Sequence, residues 1–205
     1  MIHRSLITIG LLAGATGSAR AQVPGLPVIN NGASTGINVG ADVGFPNADY
    51  GKGEAVGAHA SIGIGFVGVT AMISRYAPEA GDAIVAPGAS ATLRLLGGPL
   101  VPFRITMQAG ASRWTQNNVT FTHVPVSIGL SATIPNPALA IKPWIAPRVD
   151  YLDDGGFSVD HLHFGISGGV DLALLSGITI RAAYDRVSNG TARPSIFSLG
   201  LGFAP

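Results

Sequence analysis

Residues 34–45 read STGINVGADVGF, and along them apolar side chains alternate with small or polar ones. One face carries Thr35, Ile37, Val39, Ala41, Val43 and Phe45, and the other carries Gly36, Asn38, Gly40, Asp42 and Gly44. A period of two predicts a β-strand whose two faces meet different surroundings. About ten such segments follow one another as far as Phe203, and the stretches between them lack helical periodicity.

These segments predict an all-β fold. Each is close to the ~9–11 residues that a tilted strand needs to cross a bilayer. Long connections alternate with short ones over much of the chain, which is typical of outer-membrane barrels. We therefore predict a transmembrane antiparallel up-and-down β-barrel of ten strands, with eight as the alternative if two short segments belong to loops. The predicted strands are 34–45, 55–65, 67–76, 88–96, 102–114, 121–134, 141–151, 160–173, 177–186 and 195–203.

The beginning of the sequence predicts export. A short basic start precedes an apolar run from Leu6 to Ala15, and residues 19–21, Ala-Arg-Ala, match the small-x-small pattern that signal peptidase accepts. The predicted organisation is a cleaved signal peptide over 1–21, a periplasmic N-terminal tail over 22–33, and the barrel over 34–203. The predicted location is the bacterial outer membrane.

Composition agrees with a barrel. Charged residues make up 11% of the 205 residues, whereas hydrophobic residues make up an ordinary 47%. After the signal, no stretch reaches the ~18 consecutive apolar residues of a spanning helix, so a membrane protein of this composition has to span with strands. The absence of cysteine excludes a disulfide scaffold, and a formal charge of +1 offers no basic patch for nucleic acid.

Aromatic residues fall at both ends of the apolar face of the predicted strands. Rings near the two ends match the interfacial girdles of membrane barrels, although aromatic residues also occur at strand ends in soluble sandwiches. An exported soluble β-sandwich is therefore the alternative fold. The predicted belts comprise Phe45, Tyr151, Tyr184 and Phe197 near the loops, and Phe66, Phe103 and Phe203 near the turns.

The final strand ends in alternating large residues, Phe197, Leu199, Leu201 and Phe203. Together with the pattern of the whole chain, it resembles the small outer-membrane β-barrel superfamily of the OmpA and OmpX kind. In that superfamily a terminal aromatic strand is read by the barrel-assembly machinery; here Ala204 and Pro205 follow the last ring. The resemblance implies assisted insertion into the outer membrane, among outer-membrane lipids. It implies no particular activity, since these barrels include anchors, adhesins, narrow pores and a few enzymes.

Alternate residues of a strand face opposite sides of the barrel, so the position of a charged residue in this alternation (its parity) predicts whether it faces the lumen. Both signs are well represented, so we expect ion pairs and hydrogen bonds that fill the bore of a narrow barrel. A narrow channel that favours anions is the alternative, because many inward residues are glycines that leave room for water. The predicted lumen residues are Asp42, His59, Arg94, Arg104, Lys142, Arg148, Asp150, His161, His163, Asp171, Arg181 and Asp185.

His161 and His163 are the candidates for chemistry. Residues two apart on a strand share a face, so both rings, with Asp160 nearby, have the spacing for a metal site or for acid and base catalysis. Asp150, His59 and Asp171 lie on a suitable face to complete a metal site. The His-x-Ser arrangement of outer-membrane lipid A deacylases and the Asp-x-Asp and Asp-x-His pairs of omptin proteases are absent. We therefore expect no catalytic, cofactor-binding or metal site.

A glycine motif at Gly63, Gly65 and Gly68 has the spacing of a dinucleotide-binding fingerprint, but it spans a predicted hairpin and not the start of a helix, so it does not indicate a dinucleotide site.

The sequence favours a non-enzymatic outer-membrane barrel that is structural or binds an extracellular partner through its loops. A narrow porin-like channel for small polar or anionic solutes is the second hypothesis. A lipid hydrolase or protease that uses His161 and His163 is the third.

Overall fold

The computed structural model describes residues 23–32, 35–97, 101–155, 161–188 and 190–204. The predicted signal peptide, Asp160 and Pro205 lie outside these ranges. Within them no helix is long and apolar enough to cross a membrane.

Alternating segments form long antiparallel strands joined by short connections. In chain order the strands are β1 (Gly36–Pro46), β2 (Glu54–Ile64), β3 (Val67–Ala77), β4 (Ile84–Leu96), β5 (Phe103–Gln116), β6 (Val119–Ala132), β7 (Ile134–Pro135), β8 (Leu139–Asp153), β9 (Leu162–Leu174), β10 (Ile178–Ser188) and β11 (Ser195–Phe203). A 3-10 turn, Ala48–Tyr50, lies between β1 and β2.

The sheet closes on itself. Each long strand pairs with its neighbours in sequence, and β1 pairs with β11 from Val39 opposite Phe203 to Pro46 opposite Ile196. The two-residue strand β7 only continues the ladder between β6 and β8, so it adds no position to the barrel. The predicted all-β antiparallel barrel of ten strands is confirmed. Closure also satisfies the edge groups that an open sheet would leave unpaired.

The two ends of the barrel differ. We call the end where β1 passes to β2 the loop end, and the end where β2 passes to β3 the turn end. At the turn end, Gly65 and Phe66 alone connect two strands. At the loop end, β5 and β6 are joined by Asn117 and Asn118, both with positive φ (52° and 63°), as a type I′ hairpin requires.

The outer face of the barrel is apolar. Large side chains such as Ile64 (77% exposed) and Phe164 (73%) point away from the lumen, and a belt of this extent suits lipid better than water. Phe45 and Phe197 stack across the seam between β1 and β11 with ring centroids 6.3 Å apart. The predicted belt residues are all exposed near strand ends: Phe45, Phe66, Phe103, Tyr151, Tyr184, Phe197 and Phe203.

Residues 23–32 lie inside the barrel. The sequence predicts a periplasmic tail over 22–33, and the described part of that range corrects the prediction. Val28 is 0% exposed and Asn30 is 1% exposed. Hydrogen bonds join the segment to side chains of β3, β5, β6, β9 and β10, so it is surrounded on all sides. We call residues 23–32 the lumen segment.

The lumen segment runs the length of the bore. Near its start, the Gly25 amide donates to Tyr50 Oη at the loop end at 2.9 Å. Near its finish, Asn31 bonds Asp171, and Gly32 approaches the side chain of Arg104 at the turn end. Residues 23–32 therefore run from the loop end of the lumen to the turn end, where β1 begins.

Inward glycines make room for this segment. A Cβ at Gly44 would collide with the Gly25 carbonyl oxygen, and one at Gly129 would lie 2.5 Å from the Asn30 carbonyl oxygen. A Cβ at Gly57 would likewise collide with the side chain of Leu26. At these positions the glycines, read from the sequence as space for water, accommodate protein.

Gly44→Ala should lower the stability of the barrel, because its added methyl meets backbone atoms of the lumen segment. Overpacking of this kind costs about 1–3 kcal/mol. Gly202→Ala is the matched control, since its nearest neighbour would be 3.6 Å away. Thermal unfolding in detergent should separate the two variants; equal melting temperatures would contradict the packing described here.

Candidate functional site

The loop-end half of the lumen contains a cluster of packed apolar side chains. Tyr50 and Tyr76 meet edge to face with ring centroids 5.5 Å apart, and Trp114 stacks on Phe121 at 5.5 Å. Leu26 of the lumen segment packs into this group. The buried members are Val23, Leu26, Tyr50, Ala55, Tyr76, Ile84, Ala86, Trp114, Leu152 and Ile196.

A buried ionic network crosses the middle of the lumen. The Arg148 guanidinium on β8 donates to Asp150 at 2.9 Å and to Asp185 on β10 at 2.8 Å. His123 Nε2 on β6 lies 3.0 Å from Asp150 Oδ1. Arg148 also donates to Ser167 Oγ at 3.2 Å. Every charge in this group is paired, as burial in a low-dielectric interior requires.

The lumen segment is part of that network. The Val28 amide donates to Asp185 Oδ2 at 3.0 Å, so one carboxylate holds both Arg148 and the segment. Asn30 donates to Ser127 Oγ at 2.9 Å and accepts from Thr106 Oγ1 at 2.7 Å. Lumen side chains thus replace the partner strand that this backbone lacks.

A second ionic group lies nearer the turn end. Asp42 on β1 is 3.1 Å from His59 Nδ1 on β2 and 3.7 Å from Arg181 Nη1 on β10. Arg181 Nε lies 2.9 Å from Asp171 on β9, whose other oxygen accepts from Asn31 of the lumen segment.

A cavity of about 200 Å³ lies beside the lumen segment. The segment lines it from Leu26 to Gly32, and its lining continues to Gly202 and Phe203 at the turn end. We call it the turn-end cavity. Its charged lining residues are Asp42, Arg104, Lys142, Asp171 and Arg181, with His59 beside them.

Five predicted network residues, including His161 and His163, lie outside the two ionic groups. Arg94 donates to the Gly65 carbonyl oxygen at 2.7 Å, just before the register shift near the end of β4. Arg104 and Lys142 line the turn-end cavity without an ion pair to any acid in the described part of the chain. His163 is buried on β9 opposite Asp150 in register.

His161 and His163 do not converge. His161 lies just before β9, and its Nδ1 is 3.0 Å from the Leu152 carbonyl oxygen. Its ring comes together with Asp153 and Asp154, and one ligand atom from each of the three lies within 4.8 Å of the others. Structural zinc sites close with four ligands, so these described residues form an incomplete set.

Several lumen residues were missed by the sequence prediction. His123 has inward parity on β6, and a search for every inward polar residue would have found it. Asn30 and Val28 belong to a stretch without alternation, so no pattern in the sequence assigns them to the lumen. Trp114 also has inward parity, but it is apolar, and the prediction assigned only polar residues to the lumen.

No family model matches the sequence, and no curated protein is similar to it. Solved structures are similar in fold. The KdgM porin in complex with disordered oligogalacturonate is 9% identical over 82% of this chain and 99% of that chain, at a TM-score of 0.51. The β domain of the Bordetella autotransporter BrkA is 17% identical over 80% of this chain and 74% of that one, at a TM-score of 0.52.

The outer-membrane enzyme PagL is also similar, at 12% identity over 82% of this chain and 99% of that one, with a TM-score of 0.46. Likeness at these identities concerns the fold alone. The chain thus has the outer-membrane β-barrel fold that the KdgM porin and the autotransporter β domain also have, and a shared fold does not assign a shared function.

Arg148→Met should destabilise the barrel by about 3–5 kcal/mol, because it leaves Asp150 and Asp185 buried without their cation. Lys52→Met is the matched control, since the Lys52–Glu79 pair is exposed and such pairs contribute about 0–1 kcal/mol. Chemical unfolding can be followed by the fluorescence of Trp114 and Trp144, which are both buried. Equal losses in the two variants would contradict the network.

Proposed function

We propose that this protein is a closed, non-enzymatic barrel of the bacterial outer membrane, structural or interaction-mediating through the loops at its loop end. The observation that carries the proposal is the lumen segment, which together with the ionic network obstructs the bore in its loop-end half and its middle. An obstructed bore leaves the loops as the surface free to meet an extracellular partner. Insertion by the barrel-assembly machinery and a cleaved export signal belong to the same proposal.

Contacts of the lumen segment support a closed barrel at two depths of the lumen. At the loop end, apolar side chains pack around Val23 and Leu26, where a conducting pore would present polar groups to water. In the middle, Asp185 binds both Arg148 and the backbone of the lumen segment. Displacing the segment would leave several buried polar groups without partners, at a cost of about 1–3 kcal/mol for each.

A narrow channel for small polar or anionic solutes is the second candidate. The turn-end cavity favours it, because a bore that is open over part of its length needs only a displaced lumen segment to conduct. The two candidates differ in whether the segment stays in place in the membrane.

Conductance in planar bilayers distinguishes these candidates. The wild-type protein should show no discrete openings, whereas a variant lacking residues 23–32 should show them. A synthetic peptide of residues 23–32 should block those openings, and a peptide of the same composition in scrambled order should not.

Gly129→Leu provides a second route to the open state if the deletion variant does not fold. Its side chain would occupy the position of Asn30, so it should also produce openings. Wild-type openings of the same size as those of the deletion variant would overturn the closed barrel and favour the channel.

A further inference from the structure

The turn-end cavity has hydrogen-bonding atoms that the protein leaves unsatisfied. Ser90 Oγ and Gln108 Oε1 are buried and have no hydrogen-bond partner among the described residues, and Asp42 Oδ1 accepts no hydrogen bond there although it lies 3.7 Å from Arg181 Nη1. All three side chains line the cavity, and each is at most 7% exposed. Buried polar atoms without partners are rare, and a cluster of them around one space indicates a polar occupant.

Two cations lie nearer the mouth of the same cavity. Arg104 on β5 is opposite Ser131 on β6, which in turn is opposite Trp144, two residues along β8 from Lys142. The two cations therefore lie on the same face at the turn end, with only β6 between their strands. Neither pairs with an acid within the described ranges, because Asp42 and Asp171 are engaged by His59, Arg181 and Asn31.

The cavity has an excess of positive charge. Its lining holds three cationic side chains, Arg104, Lys142 and Arg181, against the two carboxylates Asp42 and Asp171. An anion at the mouth would balance the charge. Deeper in the cavity, Gln108 Oε1 and Asp42 Oδ1 can only accept hydrogen bonds, so the opposite end of an occupant has to donate them.

We propose that the turn-end cavity binds a small hydroxylated organic anion, with Arg104 and Lys142 holding its carboxylate or phosphate and Gln108, Ser90 and Asp42 accepting from its hydroxyl groups. Size agrees with this chemistry. At about 30 Å³ for each water molecule, the cavity holds roughly seven waters, close to the bulk of one sugar acid. The site goes beyond the proposed function, since a barrel that does not conduct can still bind a ligand from its turn end.

Calorimetric titration of the detergent-solubilised full chain at low salt tests the proposal, with glucuronate and glucose 6-phosphate as probes. At least one of them should bind saturably at one site, and glucose should bind much more weakly because it lacks the anionic group. Arg104→Gln and Lys142→Gln should each weaken binding about tenfold, since each removes a charge-assisted hydrogen bond.

Arg94→Gln is the matched control, because Arg94 lies at the same end of the barrel but donates to the Gly65 carbonyl. It should leave binding unchanged. Thr70→Phe keeps the charges and fills the cavity that Thr70 lines, so it should abolish binding. Retention of the β-sheet circular dichroism signal identifies which variants are folded.

The proposal is overturned if neither anion binds, if glucose binds as tightly as the anions, or if Arg94→Gln weakens binding as much as Arg104→Gln. It is also overturned if Thr70→Phe folds and still binds. Loss of binding in Lys142→Gln and Thr70→Phe would sustain the proposal even if Arg104→Gln did not fold.

Discussion

The structure depends on one constraint: a stretch of backbone that enters a closed barrel has no partner strand, yet its polar groups must be satisfied. Lumen side chains meet this need for residues 23–32. Asp185 accepts from the Val28 amide, Gln108 donates to the Ile29 carbonyl, and Ser74 donates to the Pro24 carbonyl. The positions of these inward polar residues follow from the path of the segment as much as from the barrel itself.

The same constraint explains the layered interior. Where the segment carries Val23 and Leu26, the wall is apolar and includes Tyr76 and Trp114. Where it turns polar, the wall supplies carboxylates, hydroxyl groups and the Arg148 network. Between the polar part of the segment and the wall of the turn-end half lies the turn-end cavity. Apolar packing at one end and a polar cavity at the other are therefore two results of one arrangement.

The sequence was sufficient to predict the strands of the barrel wall, but not to predict the lumen segment or the pairing of the charges inside. Alternation located ten strands, and parity placed Asp42, Arg148 and Asp185 inside, because period-two patterning follows directly from strand geometry. The lumen segment has no such pattern, since each of its residues meets a different part of the wall. The sequence also did not predict which charges pair. Arg104 and Arg148 both have inward parity, but only Arg148 lies beside two carboxylates, Asp150 and Asp185, because of the strands that neighbour it.

The most direct test of the central claim is a disulfide between the lumen segment and the wall, in a chain that has no cysteine of its own. A Cβ at Gly88 would lie 2.9 Å from Val23 Cγ1, so cysteines at these two positions should crosslink in the membrane under mild oxidation. Val23 paired with Gly202, near the opposite end of the barrel, should not. Crosslinking of the first pair alone is the predicted result. Failure of that pair to crosslink in the folded barrel would contradict the placement of the lumen segment.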